Sequence, residues 1–360
     1  MEPGQVASLA GGVALAAVVS LDVFFTVIHP DIEGAIARVV QRSVWEGFAL
    51  VARRWEARRR GVLAMAGPAI IAATFFVWVA LFILAFALLF YSGLEWYRAE
   101  SELQPLTFLD ALYYAGTTVT VLGYGDITPI HGAYKLLAAV AAGAGFALLT
   151  GAVAYLIEVT SSIDERYRFA LRVHDEAEGS GQGVGLVLAG IEAGDVAYLR
   201  DRLEQLATDV RLVQDKAHRY ALVALYYRSR DPAYDFEPAV RVASEAAVAG
   251  HLLAEDPGWA GIAPAVGHLA GGLTRLMETT AEQYLGGDIA AQLREARAGG
   301  DDHRLIEGIA DQLRQAGPTV PSEPTSAALR LATRSRIFLQ GMDRITAWTA
   351  ESKAAMAPPP

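Results

Sequence analysis

Apolar runs organise the first half of the chain. Residues 5–28, QVASLAGGVALAAVVSLDVFFTVI, carry one charge, Asp22, and at about 1.5 Å per residue are long enough to cross a hydrocarbon layer of about 30 Å. Residues 62–92, VLAMAGPAIIAATFFVWVALFILAFALLFYS, carry none and exceed the roughly 20 residues a crossing needs, which predicts a tilted or projecting helix. Residues 133–157, AYKLLAAVAAGAGFALLTGAVAYLI, form a third run, with Lys135 near enough to its start to snorkel outward. Between the second and third lies PLTFLDALYYAGTTVTV, helical in pattern but too short to span, so it is expected to enter the membrane and return. The pattern predicts an all-α membrane protein with three transmembrane helices and a re-entrant helix.

Helical signals continue from Ser161. Val196, Leu199, Leu203, Leu206, Val210, Val213, Ala217 and Tyr220 follow heptad spacing within a helix expected over Asp195–Arg230, started by Gly194-Asp195 and stopped by Asp231-Pro232. This stripe reads either as a seam between subunits or as the core face of a long helix. Further helices are expected at about 237–255, 259–285, 287–298, 302–316 and 325–353. The implied order is a helical domain over 159–316, a linker at 317–326 (GPTVPSEPTS), a terminal helix over 327–353 and a disordered tail at 354–360. GSGQGVGLVL (179–188) is glycine-rich, but the charged run RVHDEAE stands where a buried strand would precede a phosphate loop and no GK[ST] follows, so it reads as a flexible linker.

Charge sets an orientation. The loop over 31–61 holds Arg38, Arg42, Arg53, Arg54, Arg58, Arg59 and Arg60, and positive loops stay in the cytoplasm. The N-terminus is then outside and everything after about Glu158 is cytoplasmic. VVQRSVWEGFALVARRW reads as an amphipathic helix on the anionic inner leaflet, with a solvated charged linker as the alternative. Trp45 and Trp55 at one end of the spans, and Tyr91, Trp96 and Tyr97 at the other, fit interfacial belts.

Composition agrees with a membrane: mean hydropathy is +0.28 over 360 residues. MEPGQ lacks a basic leader region, so the first apolar run is expected to stay in the mature protein. Net charge is −10 with no basic stripe, which disfavours nucleic acid as a partner. The absence of cysteine excludes disulfides, thiolate metal sites and a cysteine nucleophile. No metal-ligand spacing, nucleophile elbow or paired carboxylates point to an enzyme. His218-Arg219 with Arg228, Arg230 and Asp231 is the densest polar cluster on the long helix, open to an anionic ligand or to solvent.

The segment TTVTVLGYGDITP, Thr117–Pro129, lies between the second and third runs. Irregular backbone at membrane depth is tolerated only where protein buries it or where it lines a water-filled path. Gly123 and Gly125 permit backbone angles that aim successive carbonyls at one axis, and a line of carbonyls replaces the water shell of a dehydrated cation. The segment resembles the filter of potassium channels, described by TVGYG loops from four subunits. The resemblance covers residues 62–158 in the order outer helix, pore helix, filter, inner helix.

That resemblance implies that Val121, Leu122, Gly123 and Tyr124 supply ion-facing carbonyls to potassium and that Gly125 completes the filter. Thr120 matches the family, whereas Val121 stands where the family has a threonine whose hydroxyl completes the innermost site. It implies Tyr113 and Tyr114 as braces for Tyr124, Asp126 at the outer mouth, and a gating hinge near Gly145, with Gly143 beside it. Small-residue packing between helices is the alternative for these two glycines. No cofactor is implied beyond the permeant ion, and the assembly the resemblance implies is a homotetramer in the cell's inner (plasma) membrane. Weakly selective cation conduction, and a membrane-anchored sensor or scaffold with a vestigial pore, are the competing functions.

SLDVFFTVIHPD resembles, less specifically, the opening helix of bacterial ion-channel proteins. Asp22 and His29 are two helical turns apart and share a face, as an intramembrane pair sensitive to pH; Asp22 otherwise reaches interfacial water, Arg38 or Arg42. Many relatives gate through a dinucleotide-type domain of alternating strands and helices, which the second half does not resemble, so a cytoplasmic ligand is left unnamed.

Overall fold

The computed structural model describes residues 2–29, 33–55, 58–99, 105–177, 181–220 and 225–346. It is mostly helical and divides into two compact units, Met1–Leu50 with Pro68–Glu158, and Val51–Gly67 with Val159–Pro360. Three of the helical stretches among the described residues are long and apolar enough to cross a membrane: Pro3–Val27, Arg59–Tyr91 and Gly132–Glu176.

In the first unit, α1 (Pro3–Val27) runs antiparallel to α4 (Ala66–Tyr91), which follows the short α3 (Arg59–Ala64). The Ser8 hydroxyl donates to the Leu88 carbonyl at 2.7 Å near one end, and the Trp78 indole donates to Asp22 at 2.8 Å near the other. Gly12 marks the closest approach, since a Cβ there would stand 2.9 Å from the Ala85 carbonyl oxygen. Apolar helices in lipid gain little from hydrophobicity against each other, so small residues that let backbones approach decide the packing.

The amphipathic segment is helical, as α2 (Ala35–Arg54), with Ala37, Gln41 and Trp45 buried and Arg38, Arg42 and Glu46 exposed. Trp45 and Tyr97, expected at the interface, are instead buried, Tyr97 against the rings of Phe90, Tyr114 and Tyr134. A two-stranded antiparallel ribbon, absent from the sequence expectation, pairs β1 (Tyr97–Ala99) with β2 (Ile127–Pro129), Arg98 opposite Thr128. The pore helix is α5 (Phe108–Val119), started by a capping box in which the Thr107 amide and hydroxyl each donate to Asp110 at 2.7 Å.

The inner helix, α6 (Gly132–Glu176), is far longer than the apolar run of 133–157. Beyond Glu158 its pattern turns amphipathic, and Phe169, Ala170 and Val173 enter the core of the second unit. That unit adds α7 (Gly183–Ala193), α8 (Val196–Arg219), α9 (Phe236–Leu253), α10 (Ala263–Thr280), α11 (Gly287–Glu295), α12 (Gly300–Gln315) and α13 (Ser326–Thr346).

Three expectations change here, and the open alternative for the stripe is decided within the chain. The long helix ends at Arg219 rather than Arg230, with Tyr220 extended. Its stripe is core face, not seam: Leu199, Leu203, Leu206 and Val210 are fully buried in this chain, against α10 among others. Residues 183–188 are helix rather than flexible linker, because Gly183 lets α7 close on α9, where a Cβ would stand 2.0 Å from the Val242 carbonyl oxygen. Residues 51–67 group with the helical domain rather than with the pore helices. The expected helix beyond Thr346 and the tail at 354–360 lie outside the described residues.

Candidate functional site

After Val119 the helical ladder stops, and the chain satisfies its amides backward. The amide of Val121 donates to the Thr118 carbonyl at 3.0 Å, and those of Leu122 and Gly123 to the Thr117 carbonyl at 2.8 and 3.1 Å. These are C-terminal carbonyls of α5, which the end of a helix leaves without intrahelical partners. The carbonyls of Val121, Leu122, Gly123 and Tyr124 accept no hydrogen bond among the described residues.

Backbone φ is positive at Val121 (61°), Gly123 (59°) and Gly125 (84°), so its sign alternates along the loop. Alternation of this kind turns successive amides to one side and successive carbonyls to the other. The amides of Val121, Leu122 and Gly123 face the pore helix, and Val121, Leu122 and Tyr124 are 54%, 60% and 67% exposed in the single chain. Such a row of oxygens accepts cations. Among the described residues no group of three or more His, Asp or Glu side chains is arranged to hold a metal ion.

Sequence found the glycines of this pattern but missed the left-handed Val121, since a β-branched residue is a poor candidate for that region. The Thr120 hydroxyl donates to the Gly116 carbonyl at 2.6 Å and so belongs to the last turn of the pore helix. The two tyrosine braces part company. Tyr114 packs within its own chain, 4.9 Å from Phe90 and 5.2 Å from Tyr97 between ring centroids. Tyr113 faces outward beside Asp126 and Tyr124, its hydroxyl within reach of the Asp126 carboxylate.

Gly145 and Gly143 differ in the same way. A Cβ on Gly145 would stand 1.8 Å from the Val119 carbonyl oxygen, so the inner helix touches the backbone of the pore helix's last turn there. Nothing lies within 4 Å of a Cβ on Gly143. α6 is unbroken across both. Close packing on the pore helix therefore gives Gly145 a reason to be glycine.

Asp22 and His29 are not joined. The buried Asp22 carboxylate accepts from the amides of Ile36 at 2.7 Å and Ala37 at 3.2 Å, and from the Trp78 indole at 2.8 Å. It thus caps α2 from another helix and ties α1, α2 and α4 together, while the His29 ring packs edge-on with Phe25. Arg38 and Arg42 pair instead with Glu33 at 3.8 Å and Glu46 at 2.8 Å. Thr26 donates to the Asp22 carbonyl at 2.8 Å and accepts from the Gly34 amide at 3.0 Å. Gly34 must be glycine, because its Cβ would meet Asp22 Oδ1 at 2.3 Å. Trp78, Gly34 and Thr26 gave no sequence signal, since each matters only through a partner distant along the chain.

The polar cluster of the long helix is dispersed. His218 contacts Gln283 at 2.7 Å and Arg219 contacts Asp215 at 3.4 Å. Arg228 is fully buried against Glu237 at 2.6 Å, and Arg230 is exposed. Burial pushes the Glu237 carboxyl up, but Arg228 outweighs it and holds the group below its ordinary value. Nearby, Arg60 pairs with Asp235 at 2.9 Å, and the Arg166 guanidinium donates to the Tyr227 carbonyl and lies 5.5 Å from the Phe236 ring centroid.

Part of the chain is similar to known proteins. Residues 72–162 match the family described as "Ion channel". The uncharacterized membrane protein YdjJ of Bacillus subtilis (strain 168) is 30% identical over 149 residues, 40% of this chain and 42% of that protein. The chain thus spans about two fifths of the length of the curated relative it matches. No solved structure matches. The matched segment begins within α4 and runs through the pore helix and the carbonyl loop into α6, and it is similar to ion channels over that part of the chain.

Proposed function

We propose that this chain is one subunit of a potassium-selective channel that conducts passively through a filter closed by four copies around one axis. The observation that carries the reading is the loop Val121–Gly125, whose first three amides bond to the pore helix while the carbonyls of Val121, Leu122, Gly123 and Tyr124 are left for an ion. One chain supplies one wall of such a tube, which is the reason for a homotetramer in the bilayer. Val121, Leu122, Gly123 and Tyr124 coordinate potassium through their carbonyls, Thr120 and Gly125 bound the filter, and Asp126 attracts cations at its outer mouth. Gly143, with free space around it, is the better bending point of the inner helix. The arginine-rich loop supports a plasma-membrane subunit with its N-terminus outside and its helical domain in the cytoplasm. No reaction is catalysed and no cofactor is used; a cytoplasmic ligand would act on the helical domain.

The test is electrical. The purified chain, reconstituted in planar bilayers under opposed potassium and sodium gradients, is expected to reverse near the potassium potential. Val121→Thr is expected to strengthen barium block from the inner side by restoring a hydroxyl ligand. Reversal midway between the two ions would give a weakly selective cation channel, the reading the missing hydroxyl favours. Absence of flux would leave a membrane-anchored sensor or scaffold with a vestigial pore.

A further inference from the structure

The basic segment between the first two spans divides into arginines that are neutralised and arginines that are not. Arg38, Arg42 and Arg60 have carboxylate partners. Arg53, Arg54 and Arg58 make no ion pair among the described residues, and Glu56 is the one acid between Gly47 and Arg60. The fold adds a fourth: exposed Arg230, likewise without an ion pair among the described residues, lies beside Gly61, whose Cβ position is 3.9 Å from the Arg230 Nε.

The same place presents apolar surface. Trp55 is 56% exposed and Val51 47% exposed. The Trp55 amide donates to the Val51 carbonyl at 3.2 Å and the Arg58 amide to the Trp55 carbonyl at 2.9 Å, which sets Val51, Trp55 and Arg58 on successive turns. This local excess of positive charge stands in a chain whose net charge is −10, so it is not a reflection of general basicity.

We propose that Arg53, Arg54, Arg58 and Arg230, with Trp55 and Val51, form a docking surface for anionic phospholipid headgroups of the inner leaflet. Guanidinium forks match phosphate oxygens in pairs, and an indole with one polar edge settles at the level of the headgroups. A soluble phosphate would use the arginines and leave Trp55 and Val51 in water. A phospholipid uses both.

The readout is independent of conduction, so failure of this proposal and failure of the channel reading are separable. The full chain is reconstituted in phosphatidylcholine vesicles containing a minor fraction of either brominated phosphatidylglycerol or brominated phosphatidylcholine. Quenching of Trp55 is isolated from the other five tryptophans by subtracting the Trp55→Phe protein. Brominated phosphatidylglycerol is expected to quench more at equal mole fraction, with the preference falling about fivefold for each of R53Q, R54Q, R58Q and R230Q at low salt. Arg58→Lys, which keeps the charge, is expected to retain most of it and serves as the folding control.

Equal quenching by the two lipids, or a preference that survives all four substitutions, overturns the proposal. So does a Trp55 that neither lipid reaches, which would mean that another subunit covers the patch. Loss of the preference on adding inorganic phosphate at constant ionic strength would reassign the arginines to a soluble anion.

Discussion

At Val121 a β-branched side chain occupies a left-handed backbone with φ of 61°, a conformation that costs an L-residue about 1–2 kcal/mol. The carbonyl row requires it, because a right-handed residue there would turn one oxygen toward the pore helix. Val121→Gly is therefore expected to raise the stability of the chain in detergent by about 1 kcal/mol, read by chemical unfolding. A loss of stability would show that contacts of the isopropyl group outweigh the strain. Asp22 makes the opposite kind of investment. Three donors converge on its carboxylate, and removing it strands the amides of Ile36 and Ala37 and the Trp78 indole in a buried place. Asp22→Ala is expected to cost about 3 kcal/mol or more, and Asp22→Asn, which keeps one acceptor oxygen, clearly less. Equal losses for the two would show that the one acceptor oxygen asparagine keeps recovers nothing of the cap.

Among the elements, the contact between α6 and the end of α5 governs the loop. Gly145 admits no Cβ against the Val119 carbonyl, whereas Gly143 has open space. Gly145→Ala is expected to force the inner helix away from the pore helix and lower stability by about 2–3 kcal/mol or more. Gly143→Ala is expected to stabilise the helix by up to about 1 kcal/mol, the ordinary helical gain. Thermal unfolding of the two proteins side by side checks the contrast, and similar values would count against the close approach. The same pair separates packing from bending, since a hinge at Gly143 would make its alanine variant stable but slow to gate in bilayer recordings.

For the whole molecule, buried ion pairs tie the helical domain to pH. Glu237 is pushed up by burial but pulled further down by Arg228; Asp302 is likewise pushed up by burial but pulled further down by Arg336, the Gly299 amide and Thr333. Each carboxyl therefore contributes stability that is complete above its ordinary value, 4.5 for Glu237 and 3.8 for Asp302, and is lost as pH falls through the lower folded value. Glu237→Gln leaves Arg228 buried without its counter-charge and is expected to cost about 3–5 kcal/mol at neutral pH. The gap between variant and native protein should narrow as pH falls below the ordinary carboxyl value and through the lower folded one, measured by melting temperature across a pH series. A gap independent of pH would mean that shape rather than charge holds this joint. Asp235 runs the other way: burial raises its carboxyl despite Arg60, so it withholds stability at neutral pH.

Sequence by itself determined the spans, the re-entrant helix and the carbonyl loop. Hydrophobic run length, turn residues and the GYGD glycines are local signals, read within a few tens of residues. It determined much of the helical domain for the same reason, since heptad spacing and caps such as Asp195, whose side chain accepts from the Ala197 and Tyr198 amides, are also local. Only tertiary structure decided which partner each buried polar or glycine position meets. Asp22 reaches Ile36 across 14 residues and Trp78 across 56, and Arg60 reaches Asp235 across 175. The close contact at Gly145 is with a carbonyl of α5, and the leucine stripe became core because other helices of the same chain arrived to cover it. Periodicity states that a face will be buried. It carries no information about what buries it, because that is fixed by chain closure over distances at which residues of one composition are interchangeable.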